Sequence, residues 1–163
     1  MLRQRGFTLV ELMIALTVFA VMATLVAPGA AEMIARRKVQ EAAQSIMDGL
    51  AQARTEALRR NASVRFSLRA DGIGWNVTQV GSGDTLRAYS NADWGSLQLA
   101  SAGSAVSATF LPTGVLATGT QLSQLTVSSH AAQSASRRVN VYGGGMMRMC
   151  DPAIAVADDP RRC

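Results

Sequence analysis

Gly6-Phe7-Thr8-Leu9-Val10-Glu11-Leu12-Met13 opens the stretch that decides the architecture, because it leads from a short basic segment, Met1 to Gly6 with Arg3 and Arg5, into the 21 residues Phe7 to Ala27. Glu11 is the single charge in that run, FTLVELMIALTVFAVMATLVA, which is long enough to cross a bilayer as a helix. Arginines ahead of the run and none within it turn the start of the chain toward the cytoplasm and put everything after Pro28 outside. Three readings fit this length: a secretory signal peptide, a permanent signal anchor, and a short leader followed by a retained apolar helix. Ala27-Pro28-Gly29-Ala30-Ala31 offers the small residues of a secretory cleavage site. Glu11 argues against it, since a carboxylate at the centre of a membrane helix costs roughly 2.5–3.5 kcal/mol and less near the interface.

Such an acid needs a counter-charge. A cut between Gly6 and Phe7 would supply one, as the new amino group of Phe7 on a neighbouring copy. The stretch Gly6 to Met13 resembles the type III signal of type IV prepilins. That resemblance implies that prepilin peptidase cleaves after Gly6 and N-methylates Phe7, and that Glu11, at the fifth mature position, directs assembly. Glycine suits the scissile position because it lacks a side chain to obstruct backbone approach. Pro28 falls where the family commonly bends or melts the anchor helix, and without an N–H it breaks the hydrogen-bond ladder.

Beyond Gly29 the pattern becomes amphipathic. Val39, Ala43, Ile46, Leu50, Ala53 and Ala57 recur at three- and four-residue steps, which predicts a helix with one buried face. Its polar side carries Arg36, Arg37, Lys38, Gln40, Glu41, Asp48, Arg54, Glu56, Arg59 and Arg60, and Asn61 suits a C-cap. After Asn61 the period changes to alternation: Val64, Phe66 and Leu68, then Trp75 and Val77 beyond the turn Asp71-Gly72-Ile73-Gly74, predict a hairpin. Further short strands are predicted at Leu97 to Leu99, Val106 to Phe110, Leu122 to Val127 and Arg138 to Val141, whereas Gly81 to Gly103 is weakly patterned.

One long helix followed by short strands gives an α+β fold in which the helix packs on an antiparallel β-sheet domain. This is the pilin-like architecture. Ala53-Arg54-Thr55-Glu56-Ala57, Arg59-Arg60-Asn61, Trp75 and Phe110-Leu111-Pro112-Thr113-Gly114 resemble the GspH, FimT and FimU branch of minor pilins and pseudopilins. The chain then divides into a leader at 1–6, a transmembrane and filament-packing helix at 7–28, an amphipathic helix at 29–61 and a periplasmic β-rich domain at 62–163. The expected partners are prepilin peptidase, the inner membrane and other pilins or pseudopilins of a pilus or secretion machine. The expected role is to start or cap assembly.

Cys150 and Cys163 are the two cysteines, and an even pair closing a short loop points to a disulfide in an oxidising compartment. Asp151, Asp158 and Asp159 within that loop read as solvated turn residues, since their spacing matches no calcium loop. Met146, Met147 and Met149 read as core, the alternative being an apolar patch for a partner.

A second function is weighed because FimT-type members are implicated in DNA binding through a C-terminal Gly-Arg-x-Arg motif. The matching stretch here is Gly145-Met146-Met147-Arg148, with methionine in place of the first arginine. Loss of one phosphate-neutralising cation lowers affinity and its salt dependence together. Arg148, Arg137, Arg138, Arg161 and Arg162 are the candidate DNA contacts, for weak, sequence-independent binding. Net charge is +5, falling to +3 once Arg3 and Arg5 are removed, which is too mild to imply nucleic acid alone.

No catalytic constellation is visible. His130, the one histidine, lies in turn-like sequence, and two cysteines with one histidine match no zinc spacing. Gly143-Gly144-Gly145 follows a strand but opens no helix, so it is a poor phosphate loop. The sequence calls for no cofactor and no metal.

Overall fold

A computed structural model describes residues 8–130 and 135–163, apart from the side chains of 25–28. Helix α1 runs from Leu9 to Arg60, and its parts Leu9–Thr24 and Gly29–Arg60 are inclined at 45°. The side chain of Pro28, on which a bend was expected, lies outside the described residues. At the far end Asn61 adopts a left-handed conformation (φ 49°), and Ala62 N–H reaches back to the Ala57 carbonyl at 3.2 Å. That bond satisfies a carbonyl that the helix would otherwise leave unpaired, so α1 stops there.

The buried stripe of α1 consists of Ala35, Val39, Ala42, Ala43, Ile46, Leu50, Ala53 and Ala57. Five of these are alanines, so the helix lies close to the strands beneath it. The strands are β1 Val64–Leu68, β2 Gly74–Gln79, β3 Thr85–Ser90, β4 Leu97–Ser101, β5 Ser107–Phe110, β6 Gln124–Ser129, β7 Ser136–Val141 and β8 Met147–Cys150. They form two four-stranded antiparallel sheets, β3-β2-β1-β5 and β4-β6-β7-β8, and α1 packs across both. The sequence predicted an antiparallel β-sheet domain without saying how its strands divide. Alternation tells which face of a strand is buried but not which neighbour it pairs with, and the chain crosses between the sheets three times, from β3 to β4, β4 to β5 and β5 to β6.

Phe66, Phe110, Ile46, Leu50, Leu122 and Leu125 are fully buried, and burying each such side chain is worth about 1.5–3 kcal/mol. Across the first sheet the rings of Phe66, Trp75, Tyr89 and Trp94 follow one another at centroid distances of 5.8, 5.7 and 5.6 Å. Tyr89 lies on β3 and Trp94 in the 3₁₀ turn Ala92–Ser96, so the weakly patterned segment closes the sheet's outer end.

Several local expectations change. Leu122 precedes β6 but is buried all the same, its N–H donating to the Ser107 carbonyl at 2.7 Å. Strand β8, where the sequence predicts no strand, pairs with β7 from Arg138↔Cys150 to Val141↔Met147. Met147 and Met149 pack on the core, but Met146 is 63% exposed, because it closes a turn with Tyr142 ahead of the strand's inner face. Arg54, placed on the polar side of the helix, is half-buried under two turns that close over the end of α1.

Candidate functional site

The N-terminal turn of α1 is built by Thr8 and Glu11. Thr8 Oγ1 accepts the Glu11 N–H at 3.2 Å, and Glu11 Oε2 accepts the Thr8 N–H at 3.4 Å. This reciprocal capping box satisfies two donors that the first turn leaves free, and the carboxylate also favours the positive end of the helix dipole. The sequence reading gave Glu11 an intermolecular role alone. Thr8-Leu9-Val10-Glu11 carries the spacing of a capping box, and that signal was there to be read. A carboxylate oxygen still has room for a second donor, so the cap and a neighbouring amine are compatible. Gly6 and Phe7 lie outside the described residues.

From Leu9 to Met22, ten large apolar side chains are between 50% and 74% exposed, on every side of the helix. The hydroxyls of Thr17 and Thr24 each donate to the carbonyl three residues back at 2.8 Å, so they leave no polar donor facing an apolar surround. Among the described residues no single helix is long and apolar enough to cross a membrane, but Leu9–Thr24 and Gly29–Arg60 together meet that test by length and composition.

At the C-terminal end Cys150 and Cys163 form a disulfide with Cα atoms 5.0 Å apart. The loop is also held by polar contacts. Arg137 pairs with Asp151 at 2.6 Å and donates to Gln40 of α1 at 2.8 Å. Arg148 donates to the carbonyls of Pro160 and Arg162 at 2.8 and 3.0 Å. Arg161 pairs with Asp159 at 2.8 Å, which holds that carboxyl down to about 2.

The five candidate arginines therefore do not share one face. Val139 and Val141 are buried on β7, and Arg137 lies on their side, against α1; Arg138, next to Arg137 in sequence, lies on the other face and donates to Thr126. Arg148 stands opposite Asn140 on that same outward face. His130 is exposed, with Nδ1 3.3 Å from the Gln98 amide. Among the described residues no cluster of three or more His, Cys, Asp or Glu could hold a metal ion. Two open grooves of about 580 and 740 Å³ flank α1, the smaller beside Trp75, Arg87 and Tyr89 and the larger beside Val77, Leu86 and Arg87.

The family model described as type II transport protein GspH matches residues 42–145, nearly two thirds of the chain. The chain belongs to the GspH family. The family comprises minor pilins and pseudopilins of type IV pilus and type II secretion systems. A model of the prokaryotic N-terminal methylation motif matches residues 1–27. Among curated proteins none matches the sequence. The type IV minor pilin FimU of Pseudomonas aeruginosa is similar in structure, with a TM-score of 0.60 at 20% identity, covering 75% of this chain and 95% of FimU. The minor pseudopilin EpsH of the Vibrio cholerae type 2 secretion system aligns with a TM-score of 0.52 at 17% identity, over 71% of this chain and 98% of EpsH. The long helix and antiparallel sheets are thus the pilin-like α+β fold of these proteins. The GspH match spans the buried half of α1 through the turn ending at Gly145, which is the region where helix and both sheets meet.

Proposed function

We propose that this chain is a minor pilin or pseudopilin that helps to start or cap a filament after prepilin peptidase cuts between Gly6 and Phe7. The observation that carries the reading is the methylation-motif match over residues 1–27, with Glu11 five residues into the mature chain and an apolar helix exposed on all sides behind it. In the inner membrane that apolar surface meets lipid; in a filament it meets the helices of other subunits, and the rest of the chain is periplasmic. Glu11 then accepts the N-methylated amine of a neighbouring Phe7 at the helix end where its own cap already orients it. Two measurements test this. The mature protein should begin at Phe7, whereas Ala30 or Met1 would mean a secretory peptide or an uncleaved anchor. Glu11→Ala should be processed yet enter filaments poorly, and wild-type incorporation of that variant would remove the pairing.

A second reading, a DNA-binding minor pilin acting in natural transformation, is favoured by one feature. The strands of β4-β6-β7-β8 contain three arginines and no aspartate or glutamate, with Arg138 and Arg148 on the outward face. Two phosphate contacts would give weak, salt-sensitive, sequence-independent binding with a shallow salt slope. A gel-shift titration at low salt should weaken on Arg138→Ala and Arg148→Ala, and equal shifts for wild type and both variants would exclude this face.

A further inference from the structure

Beyond Ile34, seven large apolar side chains are exposed among the described residues, and four of them border one junction at the C-terminal end of α1: Leu58, Val115, Tyr142 and Met146 at 51%, 37%, 42% and 63%. The junction is tightly built. Arg54 Nε donates to the Gly114 carbonyl at 3.0 Å, and Leu116 N–H donates to Gly143 at 2.9 Å. Leu58 lies against Gly114, and Gly145 fits between the Gly114 carbonyl and Arg54. The two turns that carry Val115, Tyr142 and Met146 thus meet beside one guanidinium whose position is set by the backbone.

Among the described residues that guanidinium has no counter-ion. Arg59 and Arg60 pair with Glu56, Arg69 with Asp71, Arg137 with Asp151 and Arg161 with Asp159. Arg54 is half-buried, and no carboxylate among the described residues pairs with it. A cation partly withdrawn from water beside turns that carry exposed apolar residues is complementary to a carboxylate set in an apolar surface. A lipid surface does not fit. The patch lies more than 30 residues along α1 from the exposed apolar stretch, about 50 Å of helix at 1.5 Å per residue.

We propose that this Arg54-centred patch docks a second pilin-like subunit of the same filament, which presents a carboxylate among apolar side chains. The proposal rests on the filament-subunit reading above. Its test uses the full chain in cells, co-produced with one pilin-like subunit of that filament at a time, and carrying a photo-crosslinking residue at Val115 or, as control, at Val156 in the C-terminal loop. The expected product is an adduct of one copy of each, about tenfold stronger from Val115 than from Val156. Arg54→Gln should reduce it about tenfold and Met146→Ser severalfold; Met146 is exposed, so its loss cannot be attributed to misfolding. Equal yields from the two positions, an adduct of two copies of this chain alone, or yields unchanged in both variants would overturn the proposal. In the same cells, a mature N-terminus at Phe7 and recovery in sheared filaments report on the filament reading itself. A chain processed and incorporated but giving no Val115 adduct sinks the patch alone, and an unprocessed chain sinks both.

Discussion

Gly145 packs against the carbonyl oxygen of Gly114, so closely that a Cβ on Gly145 would overlap that oxygen and come within 3.0 Å of Arg54 Nε. The contact ties the turn after β7 to the turn after β5, and through Arg54 it ties both to the end of α1. Gly145 also has φ +78°, a conformation that L side chains rarely adopt.

Gly145→Ala should therefore destabilise the protein by about 2–3 kcal/mol, strain and overlap acting together. Gly144, which has open space around it, is the control. Urea denaturation should show a clear loss of midpoint for the first variant and little for Gly144→Ala.

Gly49 sets two effects against each other. Alanine at a helix interior gains about 1 kcal/mol in propensity, but the added Cβ would meet the rings of Phe66 and Trp75 at 2.8 Å. Both rings are buried, so they cannot swing away, and overpacking of this kind costs typically 1–3 kcal/mol. The net effect expected of Gly49→Ala is a loss of roughly 1 kcal/mol, read from thermal unfolding together with a changed near-ultraviolet signal from Trp75.

Removal of the disulfide should cost about 3 kcal/mol in the chain-entropy account, for a pair 13 residues apart. Cys163→Ser should unfold at lower urea and become sensitive to protease within 152–160, whereas the Arg137–Asp151 pair keeps the start of the loop on β7.

Hydrogen bonds from Arg59 and Arg60 hold the Glu56 carboxyl down to about 2, from an ordinary 4.5. A carboxylate depressed on folding stabilises the folded state above its unfolded value and loses that contribution as pH falls through its folded value. The last turn of α1 should thus be firm at pH 5 and loosen between about pH 4.5 and 2. Amide exchange at Arg59 to Asn61 should show this, and Glu56→Gln should flatten the response.

The long helix was legible because its signals are local. The 21-residue apolar run, the stripe from Val39 to Ala57 and the left-handed asparagine at 61 depend on neighbours within two turns. The hairpin of β1 and β2 was legible for the same reason, with Asp71 and Gly72 at its turn. Strand β3 was not. It is an edge strand exposed at four of its six positions, so it lacks the alternation that burial on one face imposes.

Sequence by itself determined the leader-like start, the acid in the apolar run, the helix and its buried face, because each rests on periodicity or on a charge out of place. The tertiary structure decided how the strands divide into two sheets, which face each arginine takes, and why Arg54 and two glycines meet. Those depend on contacts between residues distant in the chain, Arg54 and Gly114 being 60 apart, and loop closure over such distances leaves no periodic trace.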